Sequence, residues 1–313
     1  MHDDNVLIEG WLSMEILKQL IRANHQRSGL KTLKLYKVEP AFFAQLQREA
    51  QLLIESNQPS EVGYANHVTN WTRPYGNAVQ FSLLNRSGNF DDTSADHSLD
   101  LRGKRFHHAN KYPAIDEFIR QFPDAFNMRL NGIGPKAGLS KHKEHLYIKV
   151  DKESYMIRAR FHLPVKTTSE AEMYLDGDFY HFDEGLIYLF NNGCVHAALN
   201  QGDDFRYHFV WDVFLTERAT EQMFGSGGAI PIWLRRVESD ERVVPIRRTE
   251  KIGEYGVQFV PRFYHQLGLA RLGIKPHQLQ NIYNSLQYYR NYYFKRPAFV
   301  HLADIHVNRS GVA

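Results

Sequence analysis

FNMRLNGI (residues 126–133), MIRARFHLPV (156–165) and YHFVWDVFL (207–215) are the stretches that decide the fold. Each is rich in apolar and aromatic residues over the length of one strand. Gly-Pro, Asp-Gly, Asn-Asn-Gly and Gly-Asp-Asp recur between the segments, as in a small β-sandwich or barrel. The sequence therefore predicts a mainly β core over residues 126–215, a double-stranded β-helix (jelly roll, cupin-like). Shorter strands are predicted at LYIKV (146–150), AEMYL (171–175), DFYHF (178–182), LIYLFN (186–191) and HAALN (196–200).

Helical extensions are predicted on both sides of this core. Residues 12–24 carry apolar side chains at three-to-four spacing, and residues 40–56 open on a proline suited to a first helical turn. Between them, KTLKLYKVE (31–39) alternates like a strand, whereas residues 61–112 are predicted to be mainly loops. Further helices are predicted at 216–224 and 276–296.

The predicted organisation is thus an N-terminal helical and mixed extension (1–125), a catalytic core (126–215) and a C-terminal helical extension (216–313). The C-terminal extension would serve as a lid or a dimer contact, because its last helix carries an aromatic face. A homodimer is therefore one of the predicted states.

Composition excludes several classes of protein. The net charge of +3 over 313 residues is too small to indicate a nucleic-acid partner. No apolar run approaches the roughly 20 residues that a membrane-spanning helix needs. The single cysteine, Cys194, excludes an intramolecular disulfide, and its residue type predicts a small buried side chain. We expect a cytoplasmic protein with no membrane partner.

A metal site is indicated by the spacing of three side chains. His142 and Glu144 are two residues apart, so on one strand both would point to the same side of the sheet. His196 follows the segment LIYLFNNGCV, where a strand on the opposite wall could bring its imidazole to the same point. Two imidazoles and one carboxylate bind one face of Fe(II) and leave coordination positions open for a co-substrate and O2.

Arg206 follows His196 by ten residues, on a predicted strand that could return beside the metal. A guanidinium binds a carboxylate through two parallel hydrogen bonds, which fixes its orientation. This position suits the distal carboxylate of 2-oxoglutarate.

Taken in order, several motifs resemble those of the aspartyl/asparaginyl β-hydroxylase family of Fe(II)/2-oxoglutarate-dependent dioxygenases. They are His142-x-Glu144, Arg160-Phe161-His162-Leu163, Gly185 before an apolar strand, His196, and Arg206-x-His208 with Asp212. The motif order and the chain length are similar to the bacterial branch of free amino acid hydroxylases, the proline cis-4-hydroxylase-like proteins. The resemblance covers roughly residues 126–215.

The resemblance implies iron ligands at His142, Glu144 and His196, with no catalytic residue beyond them. It implies that Arg206, Arg160 and His162 bind the co-substrate 2-oxoglutarate. The implied reaction uses O2 to hydroxylate an amino acid or a derived small molecule, releasing succinate and CO2. A residue within a protein or peptide is the alternative substrate of the same class.

Glu144 departs from the family pattern, in which the acid is usually Asp or is missing. Its carboxylate could bind the metal, could lie beside a water ligand, or could belong to an inactive enzyme. Two other classes of protein also stay open. They are a cupin-like metal hydrolase or isomerase, for which Zn²⁺ would suit the ligands, and a non-catalytic jelly-roll binding module.

Overall fold

The computed structural model describes residues 19–20, 30–57, 59–61, 68–70, 78–96, 101–142, 144, 147–149, 155–225, 230–237, 243 and 245. Fourteen strands lie in these ranges, together with three helices that are each longer than two residues. In chain order they are β1 Thr32–Val38, α1 Pro40–Ser56, β2 Ser60–Glu61, β3 Val68–Asn70, β4 Ala78–Ser82, α2 Pro113–Arg120, β5 Ala125–Ile133, β6 Ala137–His142, β7 Tyr147–Lys149, β8 Tyr155–Lys166, β9 Ala171–Leu175, β10 Asp178–Tyr180, β11 Leu186–Phe190, β12 His196–Asn200, β13 Arg206–Phe214, α3 Glu217–Phe224 and β14 Leu234–Arg236.

The strands form two antiparallel sheets. The larger sheet has the order β14-β1-β11-β8-β13-β5-β4-β2, with β7 paired to β8, and the smaller has the order β10-β9-β12-β6-β3. The eight strands β5, β6 and β8 to β13 are divided equally, with β11-β8-β13-β5 in the larger sheet and β10-β9-β12-β6 in the smaller. In each sheet a strand from the start of this series pairs with one from its end, β5 with β13 and β6 with β12. This is the double-stranded β-helix that the sequence predicts.

The larger sheet buries both of its faces. On its outer face, Phe161 of β8 and Trp211 of β13 belong to the main core, and Phe118 of α2 stacks edge-on against Trp211 with 5.3 Å between ring centroids. Its inner face meets the smaller sheet in a second apolar cluster. Members from the two sheets include Ile133, Tyr188, Phe190, Met173, Leu175 and Ala198.

Elements outside the predicted core lengthen its sheet. Strand β1, which the alternating pattern at 31–39 predicts, pairs with β11, and β4 pairs with β5. The sequence missed β4, which lies in the stretch expected to be loops, because AVQFS is short and its polar Gln80 is hidden by a hydrogen bond to buried Asp96. The division into three segments stays a prediction.

Two predicted helices are confirmed. Helix α1 spans the predicted range and buries Phe42, Leu46, Ala50 and Leu53, one face at helical spacing. Helix α3 begins after Thr216, whose side chain accepts a hydrogen bond from the Ala219 amide. The helix predicted at 276–296 lies outside the described residues, as does most of the one at 12–24. No helix within the described ranges is long and apolar enough to cross a bilayer.

His107 and His108 stabilise the loop before α2. The ring of His107 bonds to the Asn85 carbonyl at 3.1 Å and that of His108 to the Gly88 carbonyl at 2.6 Å. His108 also stacks on Phe90 with 4.5 Å between ring centroids. Both rings therefore have structural partners. Cys194 is buried, as predicted.

Candidate metal and carboxylate site

His142 and His196 lie directly opposite each other on neighbouring strands. They are register partners in the antiparallel pair β6 and β12 of the smaller sheet. The prediction that His196 comes from the opposite wall is therefore wrong. The jelly-roll order places β6 beside β12, and opposed residues of paired strands have Cβ atoms about 5 Å apart. The side chain of His142 lies outside the described residues.

The imidazole of His196 is held in the tautomer that a metal requires. Its Nδ1 lies 2.9 Å from the carbonyl oxygen of Cys194, which can only accept, so Nδ1 carries the proton. The lone pair is therefore on Nε2, which lies 3.8 Å from Oε1 of Glu144. A backbone carbonyl bound to the far nitrogen of an imidazole is a common feature of metal-ligating histidines.

Glu144 lies beyond the end of β6 and does not follow the strand alternation that the sequence indicated. Strand β6 ends at His142, and the Glu144 amide bonds to the carbonyl of Asn192 at 3.1 Å. The carboxylate accepts hydrogen bonds from Arg160, with Nη1 to Oε1 at 2.5 Å and Nη2 to Oε2 at 2.9 Å, and another from Arg158 to Oε2. It nevertheless lies beside His196, as expected for two ligands of one ion.

The described donors fit a divalent metal in chemical type. An imidazole with an available Nε2 and a nearby carboxylate are ligands that Fe(II) accepts, as do several other first-row metals. Among the side chains that the structure describes, no third His, Cys, Asp or Glu completes a cluster. The triad of His142, Glu144 and His196 stays a prediction.

A polar band runs along the inner face of β8 and β13. In the antiparallel register His162 lies opposite Val210 and Arg160 opposite Asp212, so alternate residues of both strands share this face. Five charged or titratable residues of this band are buried. They are Arg160, His162, Arg206, His208 and Asp212.

Arg160 is engaged almost completely within the protein. Besides its two bonds to Glu144, it donates from Nε to Oδ1 of Asp212 at 2.7 Å and from Nη2 to Oδ2 at 3.0 Å. These contacts use four of the five guanidinium N–H groups, leaving one on Nη1. Asp212 thus holds Arg160 in place, whereas the assignment of Arg160 to 2-oxoglutarate stays a prediction.

Arg206 is a buried cation without an acidic neighbour. Only 5% of the residue is exposed, and no carboxylate in the described part of the chain lies within ion-pair distance of its guanidinium. Burial lowers the pKa of Arg206 to about 9, so it stays charged at neutral pH. Its Nε has no hydrogen-bond partner among the described residues. A buried, unpaired charge is costly, so this site is suited to a carboxylate ligand.

Two neutral histidines lie beside Arg206. Its Nη1 is 2.9 Å from Nε2 and 3.1 Å from Nδ1 of His208, and Nδ1 of His208 is 3.4 Å from Nδ1 of His162. Burial, followed by the charge of Arg206, lowers the pKa of His208 well below its ordinary value. Burial and then the charges of Arg160 and Arg206 do the same for His162. Neutral rings therefore add no second positive charge.

Contacts between rings connect the arginine to the candidate metal ligand. The ring of His162 lies 4.8 Å from that of Phe190, and Phe190 meets His196 edge-on at 5.0 Å. Arg206, His208, His162, Phe190 and His196 thus form a continuous series of contacts inside the jelly roll. The sequence predicted the two ends of this series, but only the fold shows how they are joined.

Some residues of the site were not predicted to take part. Arg158 belongs to none of the recognised motifs, yet it lies two residues before Arg160 on β8 and both contact Glu144. Asn192 is fully buried, and both polar atoms of its side chain lack a partner among the described residues. No pattern in the sequence distinguishes this asparagine from an ordinary turn residue.

Comparison with known proteins agrees with the motif resemblance. Residues 80–215 match the family described as Aspartyl/Asparaginyl beta-hydroxylase. The match confirms the predicted resemblance to this hydroxylase family and extends it towards the N-terminus, to include β4. None of the curated proteins matches the chain.

Solved structures with a similar fold share little sequence with the chain. A prolyl-4-hydroxylase from Pseudomonas putida is 11% identical, covers 62% of this chain and 98% of its own, and has a TM-score of 0.33. A Trichoplax adhaerens prolyl hydroxylase, solved with a hypoxia inducible factor peptide, is 11% identical, with coverages of 68% and 94% and a TM-score of 0.35. A predicted oxalate decarboxylase from Thermotoga maritima is 10% identical, with coverages of 51% and 96% and a TM-score of 0.30.

Proposed function

We propose that this protein is an Fe(II)- and 2-oxoglutarate-dependent oxygenase that hydroxylates a free amino acid or an amino-acid-derived small molecule, releasing succinate and CO2. The observation that carries the proposal is the buried guanidinium of Arg206, which has no carboxylate partner among the described residues and is connected by ring contacts to His196. The family match over residues 80–215 supports the same class of enzyme.

In this proposal His142, Glu144 and His196 hold the iron, which with O2 supplies the oxidising chemistry when bound. The fixed tautomer of His196 presents the Nε2 lone pair without a prior proton transfer. Arg206 binds the distal carboxylate of 2-oxoglutarate, and Arg160 and His162 are further co-substrate contacts. Burial of Arg206 and of the two histidines beside it excludes water, which strengthens the ion pair with a carboxylate.

A peptide or protein residue is the alternative substrate within this class. A cupin-like metal hydrolase or isomerase is the alternative from another class, since the donor set also suits Zn²⁺. Neither hydrolysis nor isomerisation assigns a role to the buried cation of Arg206. This residue therefore favours an oxygenase that binds a dicarboxylate. A non-catalytic binding module would likewise give the buried charge of Arg206 no carboxylate to bind.

Anaerobic addition of Fe(II) and 2-oxoglutarate to the full-length protein tests the proposal. We expect a weak visible charge-transfer band from the iron and 2-oxoglutarate complex. His196→Ala should lose the band together with bound iron. Folded wild-type protein that retains iron but shows no band would overturn the assignment.

The substrate class needs a separate experiment. Succinate release should be measured over panels of amino acids, nucleosides and peptides, with wild-type protein and His196→Ala in parallel. Substrate-dependent release with an amino acid supports the preferred form of the proposal, whereas release only with peptides supports the alternative. The cytoplasmic location and the homodimer stay predictions.

A further inference from the structure

The two carboxylate oxygens of Glu144 have different neighbours. Oε1 lies 3.8 Å from Nε2 of His196 and 2.5 Å from Nη1 of Arg160. Oε2 instead accepts hydrogen bonds from Nη2 of Arg160 at 2.9 Å and from Arg158. One oxygen thus borders the candidate metal position while the other is held by two guanidinium groups.

We propose that Arg158 is a positioning residue for the metal site, holding Oε2 of Glu144 so that Oε1 is directed towards the ion bound by His196. The inference rests on the proposed function and deepens it. It explains how a glutamate can occupy a position where the family usually has an aspartate, and it assigns a role to a residue that no motif selects.

The distances are compatible with this role. Two ligand atoms at about 2.1 Å from an ion and at right angles to each other lie roughly 3 Å apart. The present separation of 3.8 Å between Oε1 of Glu144 and Nε2 of His196 therefore needs only a small closing movement. Oε2 can keep its hydrogen bonds during that movement, which would leave Glu144 a monodentate ligand.

Arg158 and Arg160 are themselves anchored by a buried carboxylate. Nη2 of Arg158 lies 3.5 Å from Oδ2 of Asp212, and Arg160 makes two hydrogen bonds to the same group. Asp212 is 1% exposed, and β13 fixes its backbone in the larger sheet. The position of Glu144 is thus tied to the rigid sheet through two guanidinium groups, although its own backbone lies beyond the end of β6.

A purely structural role for Arg158 would be to neutralise Asp212. The two roles differ in what happens when Glu144 cannot bind metal. If Arg158 acts through Glu144, its replacement changes metal affinity only while the Glu144 carboxylate is present. If it acts through the fold, the loss is the same with or without that carboxylate.

The test is a double-mutant cycle on the full-length protein, with Mn(II) affinity measured by electron paramagnetic resonance of the free ion. Arg158→Gln should weaken Mn(II) binding roughly tenfold, the lower end of effects seen on removing groups that orient metal ligands. In a Glu144→Gln background the same change should have less than about a twofold effect. Arg218→Gln is the matched control, because its side chain is 65% exposed and ion-paired only at the surface with Asp124.

Two more variants make the result independent of folding. Arg158→Lys keeps a charge near Asp212 but lacks the fork of N–H groups, so it should weaken Mn(II) binding at unchanged thermal stability. Glu144→Asp should also bind Mn(II) more weakly than the wild type, because its carboxylate is drawn back by about 1.5 Å, one carbon–carbon bond.

Unchanged Mn(II) affinity in Arg158→Gln and Arg158→Lys, or equal losses in both Glu144 backgrounds, would overturn the positioning role. His196→Ala separates this failure from failure of the proposed function. If His196→Ala loses Mn(II) binding while the arginine variants bind normally, the metal site stands and only the role of Arg158 is refuted. Normal binding in His196→Ala would place the metal elsewhere and refute both.

Discussion

Asp212 and Arg160 form a buried ion pair with two hydrogen bonds across β8 and β13, of 2.7 Å and 3.0 Å. The antiparallel register places the two residues directly opposite each other. Although burial would raise it, the guanidinium groups of Arg160 and Arg158 hold the pKa of Asp212 well below its usual range. The pair therefore stays charged inside the jelly roll, where it fixes the orientation of Arg160 beside Glu144.

Asp212→Asn should destabilise the protein by about 3–5 kcal/mol, because it leaves buried guanidinium groups without their counter-charge. Urea unfolding at neutral pH measures the change. Asp203→Asn is the matched control, since its side chain is 91% exposed, and it should stay within about 0.5 kcal/mol of the wild type. Equal, small effects of the two substitutions would show that the buried pair contributes little to the fold.

The same pair predicts how stability depends on pH at the acidic end. The folded pKa of Asp212 is lowered, so the unfolded chain takes up the proton first, near its ordinary pKa of about 3.9. The contribution of Asp212 is therefore complete above about pH 4 and is lost progressively as the pH falls further. The stability difference between wild type and Asp212→Asn should narrow below pH 4, and a difference that widens there would contradict the assigned charge state.

His162 and His208 predict a second loss of stability, at milder acidity. Their folded pKa values are lowered, so below about pH 6.5 the unfolded state binds protons that the folded state refuses. Stability should fall by about 1.4 kcal/mol per pH unit for each such histidine. In His208→Gln the slope between pH 6 and pH 5 should be smaller than in the wild type by about that amount, and equal slopes would show that His208 is protonated in the folded protein.

Arg206→Ala should weaken 2-oxoglutarate binding by about tenfold to a hundredfold while leaving Mn(II) affinity within about twofold. The expected loss follows from removing charge-assisted hydrogen bonds worth about 1.5–3 kcal/mol. Isothermal titration of the Mn(II)-loaded protein with 2-oxoglutarate measures it, with Arg218→Ala as the surface control. An equal loss of affinity for 2-oxoglutarate and for Mn(II) would contradict a role confined to binding the carboxylate of 2-oxoglutarate.

Asn200 provides a test of the turn that leads from β12 to Arg206. Its Nδ2 lies 2.9, 3.0 and 2.7 Å from the carbonyl oxygens of Ile133, Gly134 and Asp204, and its Oδ1 accepts from the Gly202 amide at 3.1 Å. Asn200 therefore closes the turn after the strand of His196.

Asn200→Asp should be more destabilising than Asn200→Ser, because it places a carboxylate against three carbonyl oxygens. Asn200→Ser should itself cost about 1–3 kcal/mol, since it removes donors from buried acceptors. Thermal unfolding of the two variants compares them. An aspartate as stable as the wild type would mean that the amide donors are not needed.

The sequence alone determined the jelly roll and the two residues at the ends of the site, Arg206 and His196. Strand-length apolar segments separated by turn residues are a local property, so β5 and β7 to β13 could be predicted from the order of residues, whereas β6, with the less apolar sequence AGLSKH, was missed. The lack of a carboxylate beside Arg206 among the described residues could not be predicted, because it depends on which acidic side chains the fold brings near. Asp212, six residues beyond Arg206 on β13, is instead paired with Arg160 through the strand register.

Only the tertiary structure decided how the predicted metal ligands are held. Spacing suggested that His142 and Glu144 share a strand and that His196 faces them from across the barrel. Strand order instead places His196 beside His142, and Glu144 lies beyond the end of β6, held by two arginines. Strand pairing and contacts between distant side chains are long-range properties set by the whole sheet, which is why local spacing identified these residues but not their arrangement.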